Sequence, residues 1–264
     1  ILAVLEISIS FDNAVVNATV LQEMTPLWRH RFMTWGMLIA VFGMRMVFPL
    51  LIVGVVAGLN PWEAFHLAAF EPNQYAQIMQ SVHHQVAAFG GAFLLLVALK
   101  YFFDIEKDEH WIHVVEAPLA KLGKLEAIEV GFTLLVLLVL SKYVQAADSL
   151  SFLCSGIAGV LTFLAVEAIS VFLQNPEKDA NEIEHDIHRA SLGMFLYLEV
   201  LDASFSFDGV VGAFAISNNL FIISIGLGIG AMFVRSLTIL MVEKGSLQAY
   251  RYLEHGAFYA VASL

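Results

Sequence analysis

Apolar runs of bilayer-crossing length recur along the chain, separated by short polar connections. A helix needs about 20 mainly apolar residues to cross the hydrocarbon core. The pattern predicts spans over about 1–22, 34–58, 84–103, 126–146, 150–173, 190–216, 219–242 and from 252 onward. Glycines at 36, 43, 54, 58, 226, 228 and 230 suit close helix packing in lipid. No run alternates apolar and polar positions over ten residues, which argues against a membrane barrel. The expected fold class is therefore all-α: a polytopic membrane helical bundle of about eight spans, forming a single domain over 1–264.

Basic residues set the orientation. They fall in the first connection (Arg29, Arg31), the third (Lys100, Lys107, Lys121, Lys124), the fifth (Lys178, Arg189) and the seventh (Lys244, Arg251). Even-numbered connections hold only Lys142. Odd connections are thus expected in the cytoplasm and residue 1 on the outer side. Residues 1–22 lack a basic n-region and a small-residue cleavage site, so they read as a span and not as a signal peptide. Both ends lie within apolar runs and read as trimmed.

The polar residues inside those runs repeat. "EISISFDNAVV" at 6–16 returns as "DASFSFDGVVG" at 202–212. A shift of 196 lays Glu6, Ser8, Ser10, Phe11, Asp12 and Val15 over Asp202, Ser204, Ser206, Phe207, Asp208 and Val211. A shift of 190 lays "GMLIAVFGMR", ending at Arg45, over "GLGIGAMFVR", ending at Arg235. The assigned orientation makes the two copies antiparallel. Inverted halves of about 1–125 and 190–264, joined by helices 126–173, are expected. That arrangement is a transporter architecture whose site lies at the midplane.

Helical spacing places Glu6, Ser10, Asn13 and Asn17 on one face. Six residues turn an ideal helix by about 240°, so Glu6 and Asp12 cannot meet on an undistorted one. Either each acid faces its own partner, or the helix unwinds near 11–13 and 207–209.

Composition then changes the picture. The chain of 264 residues is 59% hydrophobic, only 14% charged and has net charge −11, yet Glu6, Asp12, Glu129, Glu167, Glu199, Asp202 and Asp208 fall inside spans. Such residues are costly in lipid and mark functional sites or buried pairs. With Lys100 and Lys142 counted among the connections at span ends, Arg45 and Arg235 are the basic residues expected deep within spans, which leaves five acids to be protonated or neutralised by a bound cation. Glu129 and Glu199 are expected near the interfaces. The oxygen-rich set Glu6, Asp12, Asn13, Glu167, Asp202 and Asp208 suits a hard divalent ion: manganese, magnesium or calcium. Arg45, Arg235, Ser10, Ser206 and Asn17 are candidates for support or gating. His185 and His188, in "EKDANEIEHDIHR", are candidates for cytoplasmic metal contact, and "DIEKDEHWIH" at 104–113 reads the same way more weakly. Cys154, the sole cysteine, reads as a small core residue. No phosphate-binding glycine loop, Gly-x-Ser-x-Gly or His-Glu-x-x-His occurs.

"SFDNAVVNA", a following helix ending in arginine, and "SFDGVVGAFAISNNLFI" resemble the TerC family of membrane proteins, which shows paired FDN and FDS/FDG signatures in two inverted halves. "SFDG" and the long cytoplasmic connections resemble a divergent branch of unknown function. The resemblance implies efflux of divalent metal, chiefly manganese, with Asp12, Asn13 and Asp208 at the matched positions. It also implies supply of metal to exported enzymes.

The expected function is a secondary exporter of Mn²⁺ in the bacterial inner membrane, not an enzyme, with proton exchange on the same carboxylates as the driving step. No nucleic acid is expected as a partner. The lipid bilayer, the ion itself, a homo-oligomer or exported metalloenzymes as recipients are the partners open to it. The alternatives are an intramembrane metal-dependent enzyme and a membrane scaffold or assembly factor.

Overall fold

The first apolar run folds as two helices, α1 (Leu2–Ile9) and α2 (Phe11–Glu23), bent by 53° at Ser10. Neither proline nor glycine causes this bend. Ser10 lies just before Asp12 and Asn13, and Ser, Asp and Asn compete with the helical backbone and favour helix starts. The Ser10 backbone has φ −97° and ψ 21°. The computed structural model describes residues 1–105, 110–125, 127–173, 183–214, 216–250 and 252–263, without the side chains of residues 183–189, 207, 208, 211 and 248.

Helix α3 (Pro26–Ala57) starts well before the apolar run that predicts it. Pro26 sits in its first turn, where a missing N–H costs nothing. The helix ends at Gly58, whose φ of +65° reverses the chain. Two stretches, Phe32–Gly36 and Ile39–Val47, widen to π-helical turns. Pro49 follows the second and cannot donate to the Arg45 carbonyl four residues earlier. The Ser224 hydroxyl donates to that carbonyl at 2.7 Å.

Short helices α4 (Pro61–Phe70) and α5 (Pro72–Ser81) lead to α6 (His83–Phe102). Asn60 and Glu63 form a capping box at the start of α4. Beyond α7 (His113–Leu122) lie α8 (Ile128–Leu140), α9 (Ser149–Leu173) and α10 (Ile183–Phe214). The chain finishes with α11 (Leu220–Glu243), α12 (Ser246–Ala249) and α13 (Leu253–Ser263). Asn219 caps α11 by accepting from the Phe221 and Ile222 N–H groups at 3.0 and 3.2 Å. No strand occurs among the described residues.

Among the described residues, four helices, α3, α6, α9 and α11, are long and apolar enough to cross a membrane, and the bent pair α1–α2 makes five. Helix α8 is apolar but has 13 residues, about 20 Å at helical rise. It is shorter than the expected span over 126–146 and shorter than the roughly 30 Å hydrocarbon core. Helix α10 has 32 residues but carries Glu199, Asp202 and Asp208. The chain is an all-α polytopic membrane bundle.

Outward-facing rows confirm the solvent. Ile222, Ile225, Ile229 and Met232 are exposed along α11, as are Leu150, Ile157 and Leu161 along α9. In water such stripes would be aggregation surfaces, whereas against lipid they face a matching medium. Cys154 is exposed on the same side of α9 as Leu150 and Leu161, so it is not the core residue expected from its apolar context.

Lipid is as apolar as a leucine side chain, so tight packing and internal polar contacts hold such bundles together. Helices α6 and α9 pack closely at Gly159, where a side-chain carbon would collide with the Phe89 carbonyl. Phe93, Leu94, Leu96, Leu198 and Leu201 form the main core between α2, α6, α9, α10 and α13. A second core gathers Tyr75, Met79, Phe214, Ile223 and Leu227.

Candidate functional site

The repeated acids and repeated arginines meet as pairs. Glu6 Oε1 is bonded to Arg45 Nη2, and Asp202 Oδ2 to Arg235 Nη2. All four residues are buried. Positions that align in the two sequence copies thus form corresponding ion pairs. Arg45 Nη1 also donates to the Ala40 carbonyl at 2.6 Å, and Arg235 Nη1 to the Phe32 carbonyl at 2.8 Å. The π-helical stretches of α3 include both carbonyls. Arg235 additionally lies 4.0 Å over the Phe32 ring.

The two motifs cross at this point. Asn17 of the first copy donates through Nδ2 to Asp202 Oδ1 of the second at 2.7 Å. Glu6 Oε2 approaches Gly209 so closely that a Cβ there would lie 2.7 Å from it. On the other side, Gly230 leaves room for the Glu6 side chain itself. Gly36 does the same for the Arg235–Glu199 contact, which any side-chain carbon at position 36 would enter. Shifted by 196, Asn13 and Asn17 fall on Gly209 and Ala213. One copy therefore supplies carboxamides where the other supplies space.

Glu6, Asn13, Asn17, Arg45, Asp202 and Arg235 enclose a chamber of about 10 Å³, on the scale of a single water molecule. Among the described residues, Asn13 Oδ1, Asn17 Oδ1, Arg45 Nε and Arg235 Nε are buried there without a hydrogen-bond partner. Unsatisfied buried polar atoms cost about 1–3 kcal/mol each, so a polar guest the size of a water molecule would be held there.

Asp12 is on the opposite side of α2. It sits in the first turn, with the backbone N–H groups of Asn13 and Asp12 beside its carboxylate, where a helix start favours negative charge. It lines a separate open cavity of about 440 Å³ against α13, shared with Ser8, Tyr252 and Gly256. The break at Ser10 therefore frees a helix terminus for Asp12 without bringing Asp12 to Glu6. Helix α10 runs unbroken through the second motif. The Asp208 side chain lies outside the described residues, as do those of His185 and His188.

Several expectations are corrected. Glu199, expected near an interface, is buried and contacts Arg235 Nη2 through Oε1 at 3.3 Å. Glu167 is bonded to Lys100, away from the chamber. Lys100, counted with the third connection although the expected span over 84–103 includes it, belongs to the last turn of α6, which is why this pair escaped the count. Glu6, Glu167, Glu199 and Asp202 all have basic partners, so the surplus of five unpaired acids does not hold. Ser10 and Ser206 are both buried, and Ser206 Oγ has no partner among the described residues. Among the described residues, no three His, Cys, Asp or Glu side chains come together in a group able to hold a metal ion.

A second polar centre has no counterpart in the sequence reading. Glu116 is fully buried on α7 and accepts from the Trp111 and Ile112 N–H groups, both at 3.2 Å. It also accepts from the Tyr259 hydroxyl at 3.1 Å and lies 3.3 Å from His255 Nε2 and 3.6 Å from His110 Nδ1. His255 is buried in α13. The stretch "DIEKDEHWIH" is thus in part a clamp joining α7 to α13. The signal that could have found it is the aromatic residues Trp111, Tyr252 and Tyr259, which are unusual in a solvated polar loop.

Residues 11–264 match the family described as protein of unknown function (DUF475). The chain is a DUF475 protein. It matches no curated protein and no solved structure. The DUF475 match covers the second motif, the first from Phe11 onward, both arginines and every helix from α2 to α13, while Glu6 lies before it.

Proposed function

We propose that this DUF475 protein is a secondary transporter that exports a divalent cation, manganese first among the hard ions, across the bacterial inner membrane. The observation that carries the reading is the crossing of the two repeated motifs at one buried polar chamber beside a broken helix. Discontinuous membrane helices that present a terminus and polar side chains at mid-depth are the form transporter ion sites take. The donors are carboxylate and carboxamide oxygens, which suit hard cations. The resemblance to the TerC family, carried by Asp12, Asn13 and Asp208, points to the same cargo.

In this reading Glu6, Asp202, Asn13 and Asn17 form the inner site, and Asp12 stands in the neighbouring cavity as the carboxylate on the way to it. Purified protein in liposomes tests it directly, by comparing flux of Mn²⁺ with Ca²⁺, Mg²⁺ and Zn²⁺. Asp12→Asn and Asp208→Asn are expected to abolish Mn²⁺ flux while the protein remains in the membrane. Undiminished Mn²⁺ flux by both variants overturns the assignment.

A second reading is favoured by the ion pairs themselves: a scaffold whose acids and arginines lock the bundle. It predicts purified protein free of metal and no flux of any of the four ions.

A further inference from the structure

Resting on the transport reading, we propose that Arg45 and Arg235 are tethered counter-ions that hold Glu6 and Asp202 while the site is empty and yield them to the cargo. Cation binding is then an exchange of two guanidinium groups for one divalent ion. Two observations carry this beyond ordinary buried pairing.

The first is charge and space. Glu6 and Asp202 together carry two negative charges, balanced equally well by two arginines or by one dication. The chamber of about 10 Å³ cannot hold both sets. A dication beside two guanidinium groups in a low-dielectric site would also meet strong repulsion. Something must leave when cargo enters, and the arginines are the groups in direct contact with both carboxylates.

The second is how the arginines are held. A guanidinium has five N–H donors, and one kept only as a structural lock is expected to use them. In both arginines Nε is buried without a partner among the described residues, while Nη1 already donates to a carbonyl of α3, that of Ala40 or Phe32. Each arginine therefore has a perch on α3 that does not depend on its carboxylate. Arg45 finds its carbonyl on its own helix, five residues back, and Arg235 finds one across the interface with α3. Asn13 Oδ1 and Asn17 Oδ1, unpartnered and more than nine-tenths buried, are the neutral oxygens that a cation would gain as the guanidinium groups withdraw. Glu6 and Asp202 then need no proton to be neutralised in the empty state, and Glu199, which shares Arg235, is, among the described residues, the one carboxylate of the cluster left for proton exchange.

The test measures Mn²⁺ affinity and flux of the full chain, with Mn²⁺ alone as the probe. Arg45→Gln and Arg235→Gln remove the competing cation. Each is expected to bind Mn²⁺ at least tenfold more tightly and to transport it at least tenfold more slowly, with Arg45→Lys and Arg235→Lys restoring flux. A role in packing alone would weaken binding or leave it unchanged, and that result in a folded variant overturns the proposal. Should the Gln variants not fold, the unsubstituted protein decides. Infrared difference spectra on Mn²⁺ addition should contain guanidinium bands that shift when arginine carries ¹⁵N in its side chain. Bound Mn²⁺ with no such bands overturns the exchange and leaves the transport reading standing. Absence of Mn²⁺ binding and flux in the unsubstituted protein is the distinct failure of the transport reading itself.

Discussion

Removing one member of the Glu6–Arg45 pair should be far more damaging than removing both. Glu6 is 1% exposed and Arg45 4%, so either charge left alone sits in a low-dielectric interior. Breaking a buried pair in this way costs about 3–5 kcal/mol, whereas replacing both partners by neutral groups is often close to neutral. Glu6→Gln and Arg45→Met are each expected to destabilise by about that amount, and the double variant by less than about 2 kcal/mol. Those values give a coupling energy of at least about 4 kcal/mol, above the usual range for neighbouring residues. The Lys100–Glu167 pair is the internal control. Its side chains are 55% and 35% exposed, so a cycle there should couple by no more than about 1 kcal/mol. Reversible unfolding in mixed micelles, followed by circular dichroism, measures both cycles. Additive single-variant effects at Glu6 and Arg45, or equal coupling in the two cycles, would refute the account of the chamber as a desolvated ion-pair site.

Three further outcomes follow from the same geometry. Gly36→Ala places a carbon where Arg235 and Glu199 meet, and such overpacking should cost about 1–3 kcal/mol, read as a lowered unfolding midpoint in detergent. Asn17→Leu removes the donor to Asp202 Oδ1 and should cost about 1.5–3 kcal/mol, the range for a hydrogen bond to a charged group, with Asn17→Asp worse than Leu because it adds a like charge. Glu116→Gln halves the acceptor oxygens that Trp111, Ile112 and Tyr259 share. It should raise protease sensitivity at residues 104–125 while leaving the chamber intact, and unchanged cleavage there would remove Glu116 from its role as a clamp.

Helix positions were legible where hydrophobicity alone decides them. The expected 84–103, 150–173 and 219–242 correspond to His83–Phe102, Ser149–Leu173 and Leu220–Glu243. The start of α3 was missed because Trp28, Arg29, His30 and Arg31 look like a connection, while Pro26 decides the helix. The repeat singled out Glu6, Asp202, Arg45 and Arg235, which line the chamber, but not how they pair. Pairing depends on which helix crosses which, and spacing along one chain carries no such information. The break at Ser10 stayed open for a similar reason. Serine, aspartate and asparagine bias the backbone locally, but "SFDN" bends and "SFDG" does not. The sequence around the bend does not mark the packing that accompanies it, in which Gly226 and Gly230 on α11 make room for Leu2 and Glu6 of α1.

The contact between Ser224 and the Arg45 carbonyl bears on how this sequence could have changed over time. Pro49 withholds one backbone donor, and a side chain on a different helix supplies the replacement. A proline at 49 is tolerable only where position 224 already offers a hydroxyl, and that hydroxyl becomes indispensable once the proline has arrived. The two positions form a ratchet: the donor had to come first, and after that neither residue could be lost independently. Homologues should therefore contain proline with serine or threonine, or neither requirement, and the combination of proline with an apolar residue at 224 should be the missing class.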